Sequence, residues 1–198
     1  MNNTWDKIYK SETYHYGVDP NAFFKSFIDG QTFRGRILMV AEGEGRNAVY
    51  AAKKGWQVEA FDLSKEAQRK ALALASSMNV QIKYNILSYQ EFSPEPERYH
   101  AVAMIYAYLP ASYRRKFSMK LWEGMTVGGK LVMEVFSLKH LERNSFGPKD
   151  PSLLYDMNTI KEDFSCFRIE LLEETVVKLN EGQGHKGEAD VIRMIARK

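Results

Sequence analysis

An apolar run that passes through two glycines directly into a helix is the feature that most constrains the fold of this chain. Residues 38–49 read LMVAEGEGRNAV. The continuous apolar stretch that ends at Ala41 is typical of a strand buried on both faces. Gly43 and Gly45 then allow a tight turn straight into a helix. A buried strand followed at once by a helix favours a parallel sheet with helices on both faces.

The same alternation of apolar strands and helical patterns continues through the central part of the chain. The predicted strands cover residues 37–41, 56–61, 80–86, 101–106 and 131–136. After a further helical region, residues 167–179 alternate between apolar and polar side chains, and the glycine-rich NEGQGHKGE separates them from ADVIRMIA. This last pattern predicts a hairpin. We therefore predict an α/β fold with a Rossmann-like, doubly wound, seven-stranded sheet, mostly parallel with an antiparallel C-terminal strand.

Length and composition predict a single domain. The chain has 198 residues, of which 44% are hydrophobic, and this is enough for one full core. No repeat, low-complexity segment or linker divides it, so we expect one domain over residues 1–198. The aromatic N-terminal segment, residues 1–30, is expected to pack over that domain as a flap.

Charge and hydropathy indicate where such a chain acts. The net charge of +3 gives no general basic field that would require nucleic acid as a partner. The longest apolar stretch, AVAMIYAYL, is much shorter than the about 20 residues that span a bilayer, and the N-terminus lacks the apolar core of a secretory signal. A single cysteine cannot form an internal disulfide. We expect a cytoplasmic protein without membrane or nucleic-acid partners, as a monomer or small homo-oligomer.

The glycine turn and one acid predict a nucleoside site. Ligands of open α/β sheets bind at the carboxyl ends of the strands, where glycines and a free helix N-terminus allow close approach. Residues 43–48 fit G-x-G-x-x-A, and Asp62 follows the second strand, where a carboxylate can accept both ribose hydroxyls. The alternative is a simple tight turn beside a solvated Asp. Glu42 and Glu44 argue against a pyrophosphate, which they would repel, and favour a cationic or zwitterionic nucleoside such as S-adenosylmethionine.

Six motifs spread over the chain carry a family resemblance. They are W-D-x-x-Y at residues 5–9, Y-G-x-D-P-N at 16–21, AEGEGRNAVYAAKKGWQVEAFDLS, YLP at 108–110, GPKD at 147–150 and EGQGHKGEADVIR. On these residues the chain resembles the class I S-adenosylmethionine-dependent methyltransferases, and most closely the tellurite-resistance (TehB-type) group. The resemblance covers essentially the whole chain. It implies S-adenosyl-L-methionine as cofactor and a small-molecule methyl acceptor, such as a thiol or a chalcogen oxyanion like tellurite or selenite.

The resemblance also implies which residues bind the cofactor. They are Ala41, Glu42, Gly43, Gly45, Asp62, Leu63, Ser88, Tyr89, Tyr106 and Tyr9. The turn would pass under the methionine part, Asp62 would hold the ribose and Leu63 would press on the adenine. Ser88 stands where relatives often have an Asp, so adenine recognition would lean on backbone contacts and stacking.

Two residues are the catalytic candidates on the acceptor side, and no metal site is predicted. Tyr108 stands where relatives commonly have a His, so it either orients an acceptor through its hydroxyl or only forms a wall. His185 lies in the glycine-rich turn of the hairpin, which would overhang the pocket if the sixth strand is parallel to the others. There it could bind an anion or take a proton, whereas the alternative is an exposed loop residue. Arg114 is expected on the solvated side of a helix, with attraction of an anionic acceptor as a second possibility.

Three other functions share parts of this pattern. A nicotinamide-dependent oxidoreductase would use the same glycine turn, but the chain is short for a second substrate domain. A nucleic-acid or protein methyltransferase would share the cofactor half, although amine-directed nucleic-acid enzymes usually carry Asn or Asp before Pro-Pro-aromatic where YAYLP stands here. A non-catalytic S-adenosylmethionine-binding protein fits the sequence as well, and methylated product from any acceptor would distinguish an enzyme from it.

Overall fold

The computed structural model describes residues 4–143 and 145–198, and a seven-stranded sheet forms its centre. The strands are β1 (Arg36–Val40), β2 (Gln57–Asp62), β3 (Lys83–Ile86), β4 (Tyr99–Ile105), β5 (Met125–Phe136), β6 (Arg168–Glu181) and β7 (His185–Arg197). Their order is β3-β2-β1-β4-β5-β7-β6. Strands β1 to β5 pair in parallel, and β7 is antiparallel to both β5 and β6. The predicted α/β fold with an antiparallel C-terminal strand is confirmed.

Helices cover both faces of the sheet. They are α1 (Thr4–Tyr9), α2 (Ala22–Asp29), α3 (Arg46–Lys53), α4 (Lys65–Ser77), α5 (Ala111–Gly124) and α6 (Met157–Asp163). Because side chains alternate along a strand, β1 contributes Ile37 and Met39 to the core under α2, α3 and α4. Its Leu38 and Val40 enter the core under α5 and α6. A strand buried on both faces explains the continuous apolar run in the sequence.

The N-terminal segment divides into two parts. Asn21 caps α2 by accepting a hydrogen bond from the Phe24 backbone N–H at 3.0 Å, and Phe24 and Ile28 are fully buried in the core. Residues 22–29 are therefore a core helix and not part of a flap, because their apolar side chains recur at helical spacing. Within the first 30 residues, the described part that covers the sheet edge is residues 4–20, whereas residues 1–3 lie outside the described residues.

Several element boundaries differ from the sequence expectation. Strand β3 begins at Lys83, three residues later than expected, and β5 begins at Met125, six residues before the expected start at Leu131. Gly128 and Gly129 therefore lie within β5, where Gly128 adopts a φ of 80°. No helix in the described part of the chain is long and apolar enough to cross a membrane.

The strand directions decide where the C-terminal hairpin turns. Because β7 is antiparallel to β5 and to β6, strand β6 is parallel to β5. The turn between β6 and β7 therefore lies at the same edge as the carboxyl ends of β1, β2 and β4. This placement brings residues near position 185 to the glycine turn, as the sequence analysis required for an acceptor role.

Candidate functional site

A cavity of about 780 Å³ lies at the carboxyl edge of the parallel strands, under the N-terminal segment. Ten residues predicted from the sequence line it: Ala41, Glu42, Gly43, Asp62, Leu63, Tyr89, Tyr106, Tyr9, Tyr108 and His185. Gly45 and Ser88 are not part of the lining.

The glycine turn is built from left-handed backbone. Gly43 and Gly45 have φ values of 64° and 92°, and Ala41 has a φ of 49° although it carries a side chain. A Cβ on Gly45 would lie 2.6 Å from the Ala71 Cβ. Gly45 therefore allows α3 and α4 to approach each other, while Gly43 and Ala41 face the cavity. Strained backbone of this kind is common at ligand sites.

Asp62 ends β2 and holds the turn in place. It is buried, its Oδ2 accepts a hydrogen bond from the Gly43 N–H at 3.0 Å, and its Oδ1 accepts one from the Ser64 N–H at 3.0 Å. Burial raises the pKa of this carboxyl, against the backbone hydrogen bonds that lower it. A carboxylate has about four acceptor positions, so Asp62 keeps lone pairs for two ribose hydroxyls.

The two glutamates of the turn occupy different environments. Glu42 lines the cavity, its Oε1 accepts from the Ala48 N–H at 2.7 Å, and burial raises its pKa to about 8. Glu44 instead forms a buried ion pair with Lys70 of α4. It also accepts a hydrogen bond from the His15 N–H at 2.7 Å. Both glutamates line the cavity, but Glu42 has no ion-pair partner among the described residues, whereas Glu44 connects the N-terminal segment to the turn.

Aromatic side chains form part of the roof and of the wall of the cavity. The Trp5 ring stacks on Tyr9 at 5.7 Å and on Tyr108 at 5.9 Å between ring centroids. The Tyr89 hydroxyl donates to the Tyr108 carbonyl at 2.7 Å. The hydroxyl of Ser88 donates to Glu91 Oε2 at 2.8 Å, outside the cavity.

His185 is enclosed, so the alternative of an exposed loop residue is excluded for it. It is the first residue of β7, it is 2% exposed, and its ring packs against Tyr16 and Tyr106 with centroids 4.4 and 4.6 Å apart. Its Nδ1 lies 3.0 Å from Glu181 Oε2. Within the described residues, its Nε2 has no hydrogen-bond partner. Burial lowers the pKa of His185, although Glu181 opposes this.

A network behind His185 was missed by the sequence analysis. Glu181 pairs with Arg46 at 2.9 Å and accepts a weaker hydrogen bond from the Asn21 amide at 3.3 Å. The same amide donates to the fully buried Glu134 at 2.6 Å. Glu181 ends β6 and His185 begins β7, so the two residues lie on either side of the predicted hairpin turn. This spacing is the only feature of the sequence that indicates their contact. Arg46 and Asn21 lie far away along the chain and meet Glu181 through the fold.

Tyr106 and Arg114 are positioned by contacts that the sequence analysis did not foresee. Tyr106 follows β4 with a φ of 52°, and its hydroxyl donates to Glu134 Oε1 at 2.7 Å. Arg114 is 2% exposed and donates to the carbonyls of Leu109 and Leu154 at 3.0 and 2.8 Å. The expectation of a solvated Arg114 is therefore wrong, because its guanidinium ties α5 to the loop that precedes α6.

One family model matches the core of this site. Residues 37–129, from β1 into β5, match the model of a methyltransferase domain. This segment contains the glycine turn, Asp62 and Tyr106. The chain is an S-adenosylmethionine-dependent methyltransferase. Its cofactor is S-adenosylmethionine, and the residues fit that group: Asp62 offers acceptors to a ribose, and the carboxyl of Glu42 suits a ligand with cationic groups.

Solved structures share the fold of this methyltransferase. One, from a study of the conversion of a disulfide bond into a thioacetal group during echinomycin biosynthesis, is 16% identical with a TM-score of 0.77, covering 98% of this chain and 90% of that chain. TehB from Haemophilus influenzae is 15% identical with a TM-score of 0.72, covering 90% and 62%. An S-adenosylmethionine-dependent methyltransferase from Methanosarcina mazei is 14% identical with a TM-score of 0.69, covering 91% and 99%. No curated relative matches the sequence of the methyltransferase.

Proposed function

We propose that the protein transfers the methyl group of S-adenosylmethionine to a small-molecule acceptor with a soft nucleophilic atom, such as a thiol or a chalcogen oxyanion. The observation that carries this proposal is the closure of the cavity by both ends of the chain. The N-terminal segment and the β6–β7 hairpin contact each other directly above the glycine turn.

Backbone and side-chain contacts hold this roof together. The Gly184 N–H donates to the His15 carbonyl at 3.0 Å, and a Cβ on Gly182 would lie 2.6 Å from the Gly17 nitrogen. Arg46 and Asn21 reach Glu181 from below. A roof of this tightness leaves space for the cofactor and a small acceptor but obstructs a nucleotide in a nucleic-acid strand or a side chain on a folded protein.

The residues around the cavity have separate tasks in methyl transfer. The bound cofactor supplies an electrophilic methyl carbon on a sulfonium. A soft nucleophile attacks this carbon in line with the departing sulfur. Asp62 binds the ribose, and Glu42 complements the cationic groups of the cofactor. Trp5 and Tyr108 exclude water and orient the acceptor, and positioning of this kind supplies a large part of the acceleration of such a displacement. The unpartnered Nε2 of His185 takes a proton from an acceptor that carries one.

Two of the structural neighbours support an acceptor of this kind. The echinomycin study concerns a reaction at disulfide sulfur. TehB gives its name to the tellurite-resistance group that this sequence resembles, and its chain shares the fold. Sulfur and the heavier chalcogens are soft, polarisable nucleophiles that react readily with a sulfonium methyl group.

A screen of acceptors with isotopically labelled S-adenosylmethionine tests the proposal. The panel comprises alkyl and aryl thiols, selenite, tellurite, carboxylates, tRNA and a protein extract, with volatile and dissolved products analysed separately. We expect label in products of thiols or chalcogen oxyanions. Label in tRNA or protein alone would contradict the proposal, as would calorimetry that detects NAD binding but none of S-adenosylmethionine or S-adenosylhomocysteine.

A further inference from the structure

We infer that the acceptor is a thiol that enters the site with its proton attached, and that Glu181 fixes His185 in the form that removes this proton. This inference rests on the proposed function and narrows its acceptor class. It assigns Glu181 as a positioning residue, since Glu181 acts through His185 and does not line the cavity.

The charges around the cavity disfavour an oxyanion acceptor. In the described residues, Arg46 is the one arginine or lysine of the cavity lining, and Glu181 neutralises it at 2.9 Å. Lys70, which lies behind the turn, is neutralised by Glu44 in the same way. Glu42 and Asp62 line the cavity, and within the described part of the chain neither has an ion-pair partner. Burial raises the pKa of Glu42 to about 8, so Asp62 supplies the negative charge of the lining near neutral pH. A selenite or tellurite anion would meet this carboxylate without a free cation, whereas a neutral thiol meets no such repulsion.

The hydrogen bond between Glu181 and His185 determines the tautomer of the imidazole. Burial would raise the pKa of Glu181, but the hydrogen bond from His185 and the charge of Arg46 outweigh it and lower this pKa to about 2. An ionised carboxylate only accepts hydrogen bonds, so His185 Nδ1 must carry the proton that it shares with Glu181. In the neutral ring the lone pair is then on Nε2, which has no other partner among the described residues.

The groups packed around His185 keep it neutral until a proton arrives. Arg46 of α3 and His15 of the N-terminal segment act against the imidazolium, whereas Glu181 of β6 favours it. Tyr16 and Tyr106 pack on the ring with their hydroxyls protonated, since burial raises the pKa of both. Phe136 and Phe146 complete an apolar enclosure. An imidazole in this setting can accept a proton that Glu181 then stabilises.

The proposed step balances in atoms and charge. The thiol S–H bond breaks and its proton passes to His185 Nε2, while the sulfur forms a bond to the methyl carbon. The electron pair of the broken carbon–sulfonium bond stays on the departing sulfur, which yields S-adenosylhomocysteine and a methyl thioether. The imidazolium, paired with Glu181, returns its proton to solvent when the products leave.

Two aromatic thiols of similar size test the role of the base. Benzyl mercaptan is protonated at neutral pH, whereas 4-nitrothiophenol is ionised and needs no base. We expect Glu181→Gln to lower kcat for benzyl mercaptan by about 100-fold, with much less effect on 4-nitrothiophenol. The acid limb of the kcat/KM profile for benzyl mercaptan should move to lower pH, because the carboxylate that stabilises the imidazolium is gone. Glu174→Gln, which removes another carboxylate from β6, should leave both rates unchanged.

Equal loss with both thiols in Glu181→Gln would overturn the inference, because a merely structural role slows every acceptor alike. Methylation of selenite or tellurite without any thiol product would also overturn it, while leaving the proposed function intact. The absence of methylated product from thiols and oxyanions together would instead contradict the proposed function.

The tautomer can be measured without turnover. In the full-length protein labelled with ¹⁵N-histidine, we expect the His185 resonances of protonated Nδ1 and bare Nε2 in the wild type, and loss of this pattern in Glu181→Gln. His140→Gln identifies the resonances of the other buried imidazole, which contacts Phe146 and does not line the cavity. A wild-type His185 with its proton on Nε2 would overturn the inference whatever the rates.

Discussion

Neighbouring acidic residues of the glycine turn have different partners. Glu42 and Glu44 flank Gly43 and both line the cavity, yet Glu44 is held by an ion pair with Lys70 and by a hydrogen bond from the backbone of His15. Asp62 adds a third carboxylate that is bound to the Gly43 N–H. The acids of the turn therefore differ in their partners, and substitutions at each should affect different properties of the protein.

Replacement of Asp62 should weaken cofactor binding. We expect Asp62→Ala to lower the affinity for S-adenosylmethionine by about 10- to 100-fold, since hydrogen bonds to a charged acceptor are worth about 1.5 to 3 kcal/mol. Asp62→Asn, which keeps one acceptor oxygen, should lose less. Isothermal titration calorimetry measures both variants. Affinity that stays at the wild-type value in Asp62→Ala would show that the ribose is held elsewhere.

Replacement of Glu42 should change how stability depends on pH. Burial raises the folded-state pKa of Glu42 to about 8 from the ordinary 4.5, so between these values the folded protein holds a proton that the unfolded chain releases. Its contribution to stability is present below about pH 4.5 and is lost as the pH rises through 8. Without ligand, Glu42→Gln should be more stable than the wild type at pH 9, by on the order of a few kcal/mol.

Urea unfolding at pH 4 and pH 9 measures this difference, which should disappear at the lower pH. Glu123→Gln, at an exposed position, is the control for the change in net charge. An equal gain at both pH values would mean that folding does not raise the pKa of Glu42 and that the gain has another cause.

At the scale of elements, α4 anchors the segment that covers the cavity. Lys70 donates to the carbonyls of Ser11 and Thr13 at 2.8 and 2.7 Å and pairs with Glu44, all in a buried position. The hydroxyl of Tyr14 donates back to the Lys70 carbonyl at 3.1 Å. Lys70 therefore connects α4 to both the N-terminal segment and the glycine turn.

Loss of this lysine should both destabilise the protein and loosen the segment. We expect Lys70→Met to cost about 3 to 5 kcal/mol, because it leaves the buried Glu44 without its partner. Proteolysis within residues 11–16 should accelerate, and S-adenosylmethionine should slow it again. Lys65→Met, at an exposed position of the same helix, is the control and should behave as the wild type. Cleavage at the wild-type rate in Lys70→Met would mean that other contacts hold the segment.

At the scale of the whole molecule, the two ends of the chain close one site. The N-terminal segment lies against the turn between β6 and β7, and the contact involves backbone on both sides. Tyr16 and His185, one from each end, are in ring contact at the cavity. The central domain match, residues 37–129, contains neither of these closing elements. Acceptor choice should therefore depend on the ends, and cofactor binding on the centre.

A side chain at Gly182 should separate the two ends. Gly182 has a φ of 59°, and a Cβ there would lie 2.6 Å from the Gly17 nitrogen and even closer to the His15 carbonyl. We expect Gly182→Ala to raise KM for the acceptor and to expose residues 11–17 to protease. Gly128→Ala is a matched control, because Gly128 also has a positive φ of 80° but no atom within 4 Å of its added Cβ. If both variants lose the same activity, the cause is backbone strain and not the contact between the ends.

The sequence alone was sufficient to predict the succession of strands and helices, the glycine turn, the position of Asp62 at the end of β2 and the hairpin at the carboxyl edge of the sheet. These follow from local properties: apolar periodicity, the backbone freedom of glycine and the direction of neighbouring strands. It placed element boundaries less well, as at β3 and β5, since the hydrogen bonds of a partner strand decide where a strand begins.

The fold establishes which side chains from distant elements are in contact. It paired Glu44 with Lys70, buried Arg114 against carbonyls and left Ser88 outside the cavity. It also brought Arg46, from a helix, to Glu181 and His185 on opposite sides of a hairpin turn. A charged side chain that is solvated in isolation finds its partner only when distant elements pack and exclude water from both. For that reason the glycine turn with Asp62 beside it was predictable from the sequence, and the surroundings of His185 required the fold.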